Sequence, residues 1–382
     1  MRIALITDGI MPFVTGGMQK HSSYIAKYFT KNKWDVCLYH CIYNEARFPT
    51  DNDINDSLFD GNYTLFKINT IQFPKSKKFP FHYLWNSYRY SKIIYKQIID
   101  DLDHFDFILI KGFSGWKLLN LKGRGLKTPP VGINFHGMNM FLPSPNLKFK
   151  LSNIIFSYFT KINLSNADYV FSYGAKVTDT IAKSLDNKSK IIEVPTGIDH
   201  SWIRDKNTVI VNNNRKFVFV GRNDPLKGIK ILNQVIKNIN NPNFEFHFVG
   251  PIPRTINQKN IYYHGVIENE NELKQIFDIA DSLVLPSISE GMPNVILEAM
   301  SRGLSIITTD VGANSLMVSE LNGVLIKNNY YRTVFEAMKK IINLSNNELK
   351  AMKINSICSI ENSFTWDLVC KKMINEIKNI KT

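Results

Sequence analysis

Short apolar runs bounded by polar or turn-forming residues recur along this chain, and they predict strands. In the first half they fall at Arg2–Thr7, Val36–Cys41, Thr64–Asn69, Phe107–Ile110, Val131–Phe135, Tyr169–Ser172 and Ile191–Val194. Stretches with helical apolar spacing lie between several of them, at Gly17–Thr30, Tyr83–Leu102, Lys148–Leu164 and Ala175–Leu185. The pattern then repeats, with strands at Lys216–Val220, Phe244–Val249, Ile261–Tyr263, Ser282–Leu285, Ser305–Thr308 and Gly323–Ile326. Helices are expected there at Gly228–Asn238, Asn271–Ile279, Asn294–Ser301 and Tyr331–Leu344, and a last one near Trp366–Lys378. Such alternation predicts an α/β chain of two Rossmann-like doubly wound domains, each a mostly parallel sheet covered on both faces. The turn-rich Pro195-Thr-Gly-Ile-Asp199 marks the boundary, giving domains at 1–195 and 196–364, with the helix of 365–382 returning to the first. Two such domains imply a cleft between the carboxyl edges of their sheets.

The candidate chemistry collects at those edges. Ser282–Leu285 runs through Pro286 into Ser289-Glu290-Gly291-Met292-Pro293-Asn294-Val295-Ile296-Leu297-Glu298. Pro293 suits a first helical turn, so Gly291 and the amides after it form a helix N-terminus at the carboxyl end of a strand, a setting that favours an anion. Glu290 and Glu298 flank that position. Eight residues of helix rise about 12 Å, on the order of a nucleotide sugar's span from ribose to sugar. Carboxylates of a covalent glycosidase stand about 5 Å apart. The two glutamates therefore read as hydroxyl ligands at two ends of one donor; the plain alternative is one loop and one solvated glutamate.

Other strand ends add to this. Thr15-Gly16-Gly17-Met18 opens a helix after the first strand, where glycines let backbone approach a phosphate, although a plain tight turn explains them equally. It is not the G-x-G-x-x-G of a dinucleotide site, which counts against an oxidoreductase. His136-Gly137 ends another strand, and that imidazole suits a sugar hydroxyl or a backbone carbonyl. Arg222 and Lys227 bracket the loop after Lys216–Val220 and would make a diphosphate clamp of one planar fork and one point charge; exposed surface cations are the alternative. Gly250 ends a further strand and is by itself only a turn.

Composition narrows the class. The 382 residues carry a formal charge of +14, unevenly: residues 1–195 hold 25 Lys and Arg against 15 Asp and Glu. From Pro74 to Lys96, Lys75, Lys77, Lys78, Arg89, Lys92 and Lys96 meet no acid, and aromatics including Trp85 interleave them. Such a segment can lie on an anionic membrane surface, hold an acidic acceptor, or be a solvated face over core aromatics. No motif supports nucleic acid. No run approaches a membrane span of roughly 20 apolar residues, and the start reads as a first strand rather than a signal peptide. Cys37, Cys41, Cys358 and Cys370 have no metal spacing and are expected to be buried, unpaired thiols of a reducing cytosol.

Together these residues resemble the retaining nucleotide-sugar glycosyltransferases of family 4, with the GT-B fold, many of which act on lipopolysaccharide, capsule or other envelope glycans. The likeness spans nearly the whole chain: Gly16-Gly17, His136-Gly137, Ala167-Asp168-Tyr-Val-Phe-Ser172, Val194-Pro-Thr-Gly197-Ile-Asp199, Gly221-Arg222…Lys227-Gly228, Ala280-Asp281…Pro286-Ser287, and Phe364-Thr-Trp366 before the final helix. Its strongest part is the paired-glutamate motif from Glu290 to Glu298. The resemblance implies that Arg222 and Lys227 hold the diphosphate and that Glu298 binds the ribose. It gives the transferred sugar to Glu290 with the backbone of Gly291, Met292, Pro293, Asn294 and Val295, His136 touching that sugar near the reacting carbon. Gly17 would let its loop approach the phosphate, and the base would pack near Gly250 and His264–Ile267. One departure is visible: a glycine-glycine-x-x-Glu run common in the family reads Gly312-Ala313-Asn314-Ser315-Leu316 here.

Metal independence is read from the residues, whereas retained configuration is what the resemblance alone implies. Asp51-Asn-Asp53 lies in a polar loop and Asp101-Leu-Asp103 near a helix end, so neither is a metal-binding D-x-D at a strand tip. A cationic clamp can stabilise a departing diphosphate instead. Metal-independent hexosyl transfer with retained configuration, from a UDP-sugar to a glycan, lipid-linked or other hydroxyl acceptor, is expected in the cytoplasm or peripherally on the inner face of the cell membrane. No cofactor or metal is implied. A nucleotide-sugar epimerase, a phosphorylase, or a degenerate transferase serving as a binding partner are the competing readings.

Overall fold

Hydrophobic strands fix the architecture, which a computed structural model describes for residues 1–43, 48–59, 61, 63–77, 79–141, 147–185, 187 and 190–381. Lys78 lies outside the described residues. The chain divides into two compact units, one of residues 1–173, 177–195 and 367–382, the other of residues 174–176 and 196–366.

The first unit carries strands β1 (Arg2–Ile6), β2 (Asp35–Ile42), β3 (Lys67–Gln72), β4 (Phe107–Lys111), β5 (Val131–Asn134), β6 (Tyr169–Ser172) and β7 (Ile191–Glu193). They form one parallel sheet in the order β3-β2-β1-β4-β5-β6-β7. Its helices are α1 (Gly17–Lys31), α2 (Asp51–Leu58), α3 (His82–Ile98), α4 (Trp116–Lys122), α5 (Leu147–Asn166) and α6 (Lys176–Ala182). β1 and β4 are buried almost throughout, as strands covered on both faces must be.

The second unit orders β8 (Arg215–Val220), β9 (Phe244–Val249), β10 (Ile261–Tyr263), β11 (Ser282–Leu285), β12 (Ser305–Thr309) and β13 (Gly323–Ile326) as β10-β9-β8-β11-β12-β13, again all parallel. Its helices are α7 (Ile229–Lys237), α8 (Glu270–Ile279), α9 (Asn294–Ser301), α10 (Asn314–Met317), α11 (Tyr331–Asn343) and α12 (Asn346–Ser363). The last helix, α13 (Trp366–Lys381), lies in the first unit from Asp367 on, burying Val369, Cys370, Met373, Ile374 and Ile377. These two sheets, their helices and the returning last helix are the GT-B architecture.

Several local expectations are corrected. Asp51-Asn-Asp53 is not a loop but the start of α2, because Thr50 and Asp53 form a reciprocal capping box. β3 begins three residues later than the apolar run at Thr64, and α3 ends at Ile98, beyond which Ile99–His104 tightens into a 3-10 turn. α12 was not expected at all. Its apolar stripe is interrupted by a buried lysine, yet Ser345 and Glu348 cap its start in the same reciprocal way. The cysteines are free thiols as expected, but Cys358 is only half-buried.

That buried lysine explains how α12 docks. Lys353 and Asp281 are both fully buried, with Nζ 3.1 Å from Oδ1 and 2.8 Å from the Ala280 carbonyl oxygen. Asp281 also accepts the backbone N–H groups of Asn212 and Lys216, tying together the start of β8, the start of β11 and α12. Burial lowers the Lys353 pKa, and the Asp281 charge opposes that. Removing one member of a buried ion pair leaves the other uncompensated, at a cost of about 3–5 kcal/mol. Lys353→Met should therefore lower unfolding stability by about that amount in urea titration; an unchanged midpoint would show that the pair does not fix α12.

Candidate active site

In each sheet the strand order reverses once, between β1 and β4 in the first unit and between β8 and β11 in the second. Ligands of open α/β sheets bind outside the carboxyl ends of strands at such reversals. The residues singled out from the sequence fall largely there.

In the second unit, β8 ends at Val220 and leads into Gly221 and an exposed Arg222. A 3-10 turn, Pro225–Lys227, follows, started by Asp224, whose Oδ1 accepts the Leu226 N–H at 2.9 Å. Gly228 then adopts φ +73° against the strand end of β11; a Cβ there would stand 2.1 Å from the Pro286 carbonyl oxygen. Only glycine allows this approach. The Ile288 N–H donates to the Leu226 carbonyl at 2.7 Å and locks the two loops together.

This juxtaposition creates one close ion pair. Lys227 Nζ donates to Glu290 Oε1 at 2.6 Å, and Ser287 Oγ donates to the same oxygen at 2.6 Å. The glutamate side chain is 8% exposed and the lysine 20%. The loop carrying Glu290 is fixed from its other side by Gly312, whose φ is +58° and whose Cβ would lie 2.4 Å from the Glu290 carbonyl oxygen and 2.3 Å from that of Gly291. Ala313 N–H donates to the Gly291 carbonyl at 2.7 Å. Gly312-Ala313 is thus the brace of the glutamate loop.

α9 begins at Asn294, so Pro293 occupies the N-cap position rather than the first helical turn, with no side-chain cap. Met292 is buried and its Sδ accepts the Thr196 N–H at 3.2 Å. The Asn294 Oδ1 is buried without a hydrogen-bond partner. Val295 and Glu298 follow within α9. Gly250, at φ +121°, passes over the Gly221 carbonyl oxygen, which a Cβ would meet at 2.0 Å, so its first role is to let β8 and β9 end side by side. Beyond it, His264 Nε2 and His247 Nδ1 are 2.9 Å apart in a stacked pair.

In the first unit, the donor-side candidates from the sequence are His136, Gly16 and Gly17, apart from the basic aromatic segment. Gly17 starts α1 exposed, and a Cβ on Gly16 would displace the Gln19 side chain, whose Nε2 donates to Asp8 Oδ1 at 3.0 Å. Around the reversal lies a buried polar network that the apolar pattern hides: Lys111 is the last residue of β4, Asn134 the last of β5, and Tyr173 follows β6. Lys111 Nζ contacts His21 Nδ1 at 3.1 Å and donates to Asn134 Oδ1. Tyr173 donates to that same oxygen at 3.2 Å, and its hydroxyl lies 2.8 Å from His136 Nδ1. A lysine ending an otherwise apolar strand was the available signal.

The network sets the protonation of His136. An amide oxygen only accepts, so the single Tyr173 hydrogen is committed to Asn134. The Tyr173 oxygen must then accept from Nδ1–H of His136, which leaves Nε2 with its lone pair. Burial first, and the Lys111 charge second, pull the His136 pKa down to about 3. Burial also pulls Lys111 down to about 7, against the Asp8 charge, and pushes Asp8 up to about 6. At neutral pH, His136 is a neutral hydrogen-bond acceptor.

Of the basic aromatic segment, Trp85 and Arg89 share the outward side of α3 and Lys75 and Lys77 are exposed before it. Tyr90 is core, its hydroxyl donating to the Thr7 carbonyl oxygen at 2.7 Å. Among the described residues no helix is long and apolar enough to cross a membrane.

Comparison with known proteins places this arrangement. Residues 214–344, which hold Arg222, Lys227, Glu290 and Glu298, match the family model of glycosyl transferases group 1. The chain is a glycosyltransferase of the GT-B type. An uncharacterized glycosyltransferase of Methanocaldococcus jannaschii is 25% identical to it over 322 residues, covering 82% of this chain and 84% of the relative. The UDP-Gal:alpha-D-GlcNAc-diphosphoundecaprenol alpha-1,3-galactosyltransferase of Escherichia coli is 27% identical over 213 residues, covering 50% of this chain and 54% of its own. Sucrose-phosphate synthase from Thermosynechococcus elongatus superposes with a TM-score of 0.77 at 15% identity, over 99% of this chain and 98% of that one.

The tautomer can be tested in this glycosyltransferase directly. Nitrogen-15 NMR of the histidine side chains should show His136 protonated on Nδ1 and unchanged from pH 5 to pH 8. A titration within that range, or a proton on Nε2, would contradict the network assignment.

Proposed function

We propose that this glycosyltransferase moves a hexose or N-acetylhexosamine from a UDP-sugar to a hydroxyl of a glycan or lipid-linked acceptor, with retained anomeric configuration and without a metal. The observation that carries this reading is the contact of Lys227 with Glu290 at the strand-order reversal of the second unit. A cation and a carboxylate are held there side by side, on the loops that also carry the exposed Arg222 and lead into α9. A diphosphate would take Lys227 and Arg222, and its arrival would release Glu290 to accept sugar hydroxyls. Amides of Gly291, Met292, Asn294 and Val295 would support the sugar; Pro293 has no N–H and sets the entry of the helix. Glu298 would bind the ribose hydroxyls, Gly250 would lie beside the base, and the Gly16-Gly17 turn would approach the phosphates. His136 Nε2, an acceptor at neutral pH, would take a hydrogen bond from a hydroxyl of the transferred sugar.

In this scheme the bond from anomeric carbon to diphosphate oxygen breaks and a bond to the acceptor oxygen forms on the same face. The acceptor proton passes to the departing phosphate oxygen, so no protein base is required. Two preorganised cations stabilise the leaving charge, and loss of one such electrostatic partner costs roughly 100- to 1000-fold in rate. The relative from Escherichia coli, named for a UDP-Gal donor and a diphosphoundecaprenol-linked acceptor, supports uridine as the base and an envelope glycan precursor as the acceptor class. That chemistry belongs to the cytoplasm and the inner face of the cell membrane.

Lys227→Ala and Glu290→Ala should each lower turnover at least about 100-fold with circular dichroism unchanged. EDTA should leave the wild-type rate as it was, and proton NMR of the product should show the donor's anomeric configuration. Near-normal turnover in either variant would overturn the site; loss of activity in EDTA, or an inverted product, would overturn the mechanism.

A further inference from the structure

A cavity of about 640 Å³ opens between α3, α4 and α5 in the first unit. Its lining is aromatic and aliphatic apart from Asn120, Arg124 and the phenol of Tyr88. Phe79, Phe81 and Trp85 stand on one side, Trp116 and Phe159 on another. Phe79 is 44% exposed and Trp85 54%. Phe81 precedes α3 with φ 65° and ψ 15°, a backbone conformation that bulky residues rarely adopt and that tends to mark functional positions. A pocket of this size is well within the range that binds small molecules. Its apolar walls would reject a polar sugar.

The surface around the pocket says what kind of molecule comes to it. On α5, Leu151, Ile154 and Tyr158 are each more than half exposed, at helical spacing and on the solvent side. On α3 the outward row is Trp85, Arg89, Lys92 and Lys96, so the aromatic at the pocket continues into a line of cations. The sequences of α3, α4 and α5 contain no aspartate or glutamate, against three cations each on α3 and α5 and two on α4. Lys122 of α4 is paired with Asp168 at 3.1 Å, which leaves the row of α3 as the cationic surface. Exposed apolar rows beside such a row complement one thing well, a surface with hydrocarbon beneath and phosphate above. A single hydrocarbon chain anchors a protein only marginally, and a basic patch is the usual second attachment. The pocket would receive the first and the basic row of α3 supplies the second.

We propose that this cavity takes one hydrocarbon tail of an anionic membrane lipid while the basic row of α3 lies against the lipid phosphates. The inference stands apart from the proposed transfer reaction, and its test uses no sugar.

Partition of the whole protein onto vesicles should be at least about tenfold stronger with phosphatidylglycerol in phosphatidylcholine than with phosphatidylcholine alone at low salt. Reversing Arg89, Lys92 and Lys96 to glutamate together should remove that difference. Decyl phosphate, kept below its micelle concentration, should bind with one-to-one stoichiometry in calorimetry while inorganic phosphate does not. Ile155→Trp, which fills the cavity, should abolish decyl phosphate binding and leave the basic row intact. Vesicles with bromine on the acyl chains should quench the tryptophan emission of the unaltered protein, and Trp85→Phe should remove most of that quenching. Equal partition onto neutral and anionic vesicles, equal binding of inorganic phosphate, decyl phosphate binding that survives Ile155→Trp in a folded protein, or no quenching by brominated chains would each overturn the proposal.

Discussion

Everything in the second unit's candidate site hangs on how closely two loops approach. Gly228 at φ +73° lies against the Pro286 carbonyl, and this contact brings Lys227 to 2.6 Å from Glu290. A methyl group on residue 228 would collide with backbone rather than with a movable side chain, so the loops would have to separate. Gly312 does the same from the other side of the glutamate loop. The result is a lysine and a glutamate, largely out of water, that satisfy each other. Coulomb attraction between such groups is several times stronger than between exposed ones, which makes the pair a defined resting state.

The first unit uses a different device at the equivalent point of its sheet. Lys111, Asn134 and Tyr173 come from three neighbouring strand ends, and their hydrogen bonds admit one proton arrangement on His136. Burial then keeps the imidazole neutral far below physiological pH. The polarity of a single ring atom is therefore decided by residues that lie up to 37 positions away in sequence. Apolar strands place these polar tips with little freedom, and that is why a doubly wound sheet can hold a buried lysine where a loop could not.

Much of the fold was legible in the sequence because buried parallel strands are short, continuous and apolar. Tyr169–Ser172, Phe244–Val249, Ile261–Tyr263, Ser282–Leu285 and Gly323–Ile326 were delimited to the residue. What escaped had polar or mixed patterns. α2 begins in a run of acids, and α12 hides its face behind the buried Lys353; both start with a capping box, a signal that lies in the sequence but outside the apolar period. At the site, the glutamate motif and the two cations were readable because local spacing placed them on loops and a helix start. Their pairing was not, since Lys227 and Glu290 are 63 positions apart and only the crossover between β8 and β11 joins them. The Lys111 network was missed for the same reason.

In the proposed reaction Lys227 and Glu290 are paired at rest and part when diphosphate binds. A crystal structure of the protein with UDP tests this most directly. Lys227 Nζ should then lie within hydrogen-bond distance of a phosphate oxygen, with its 2.6 Å contact with Glu290 lost. UDP bound with that contact intact, or bound away from Arg222 and Lys227, would contradict it.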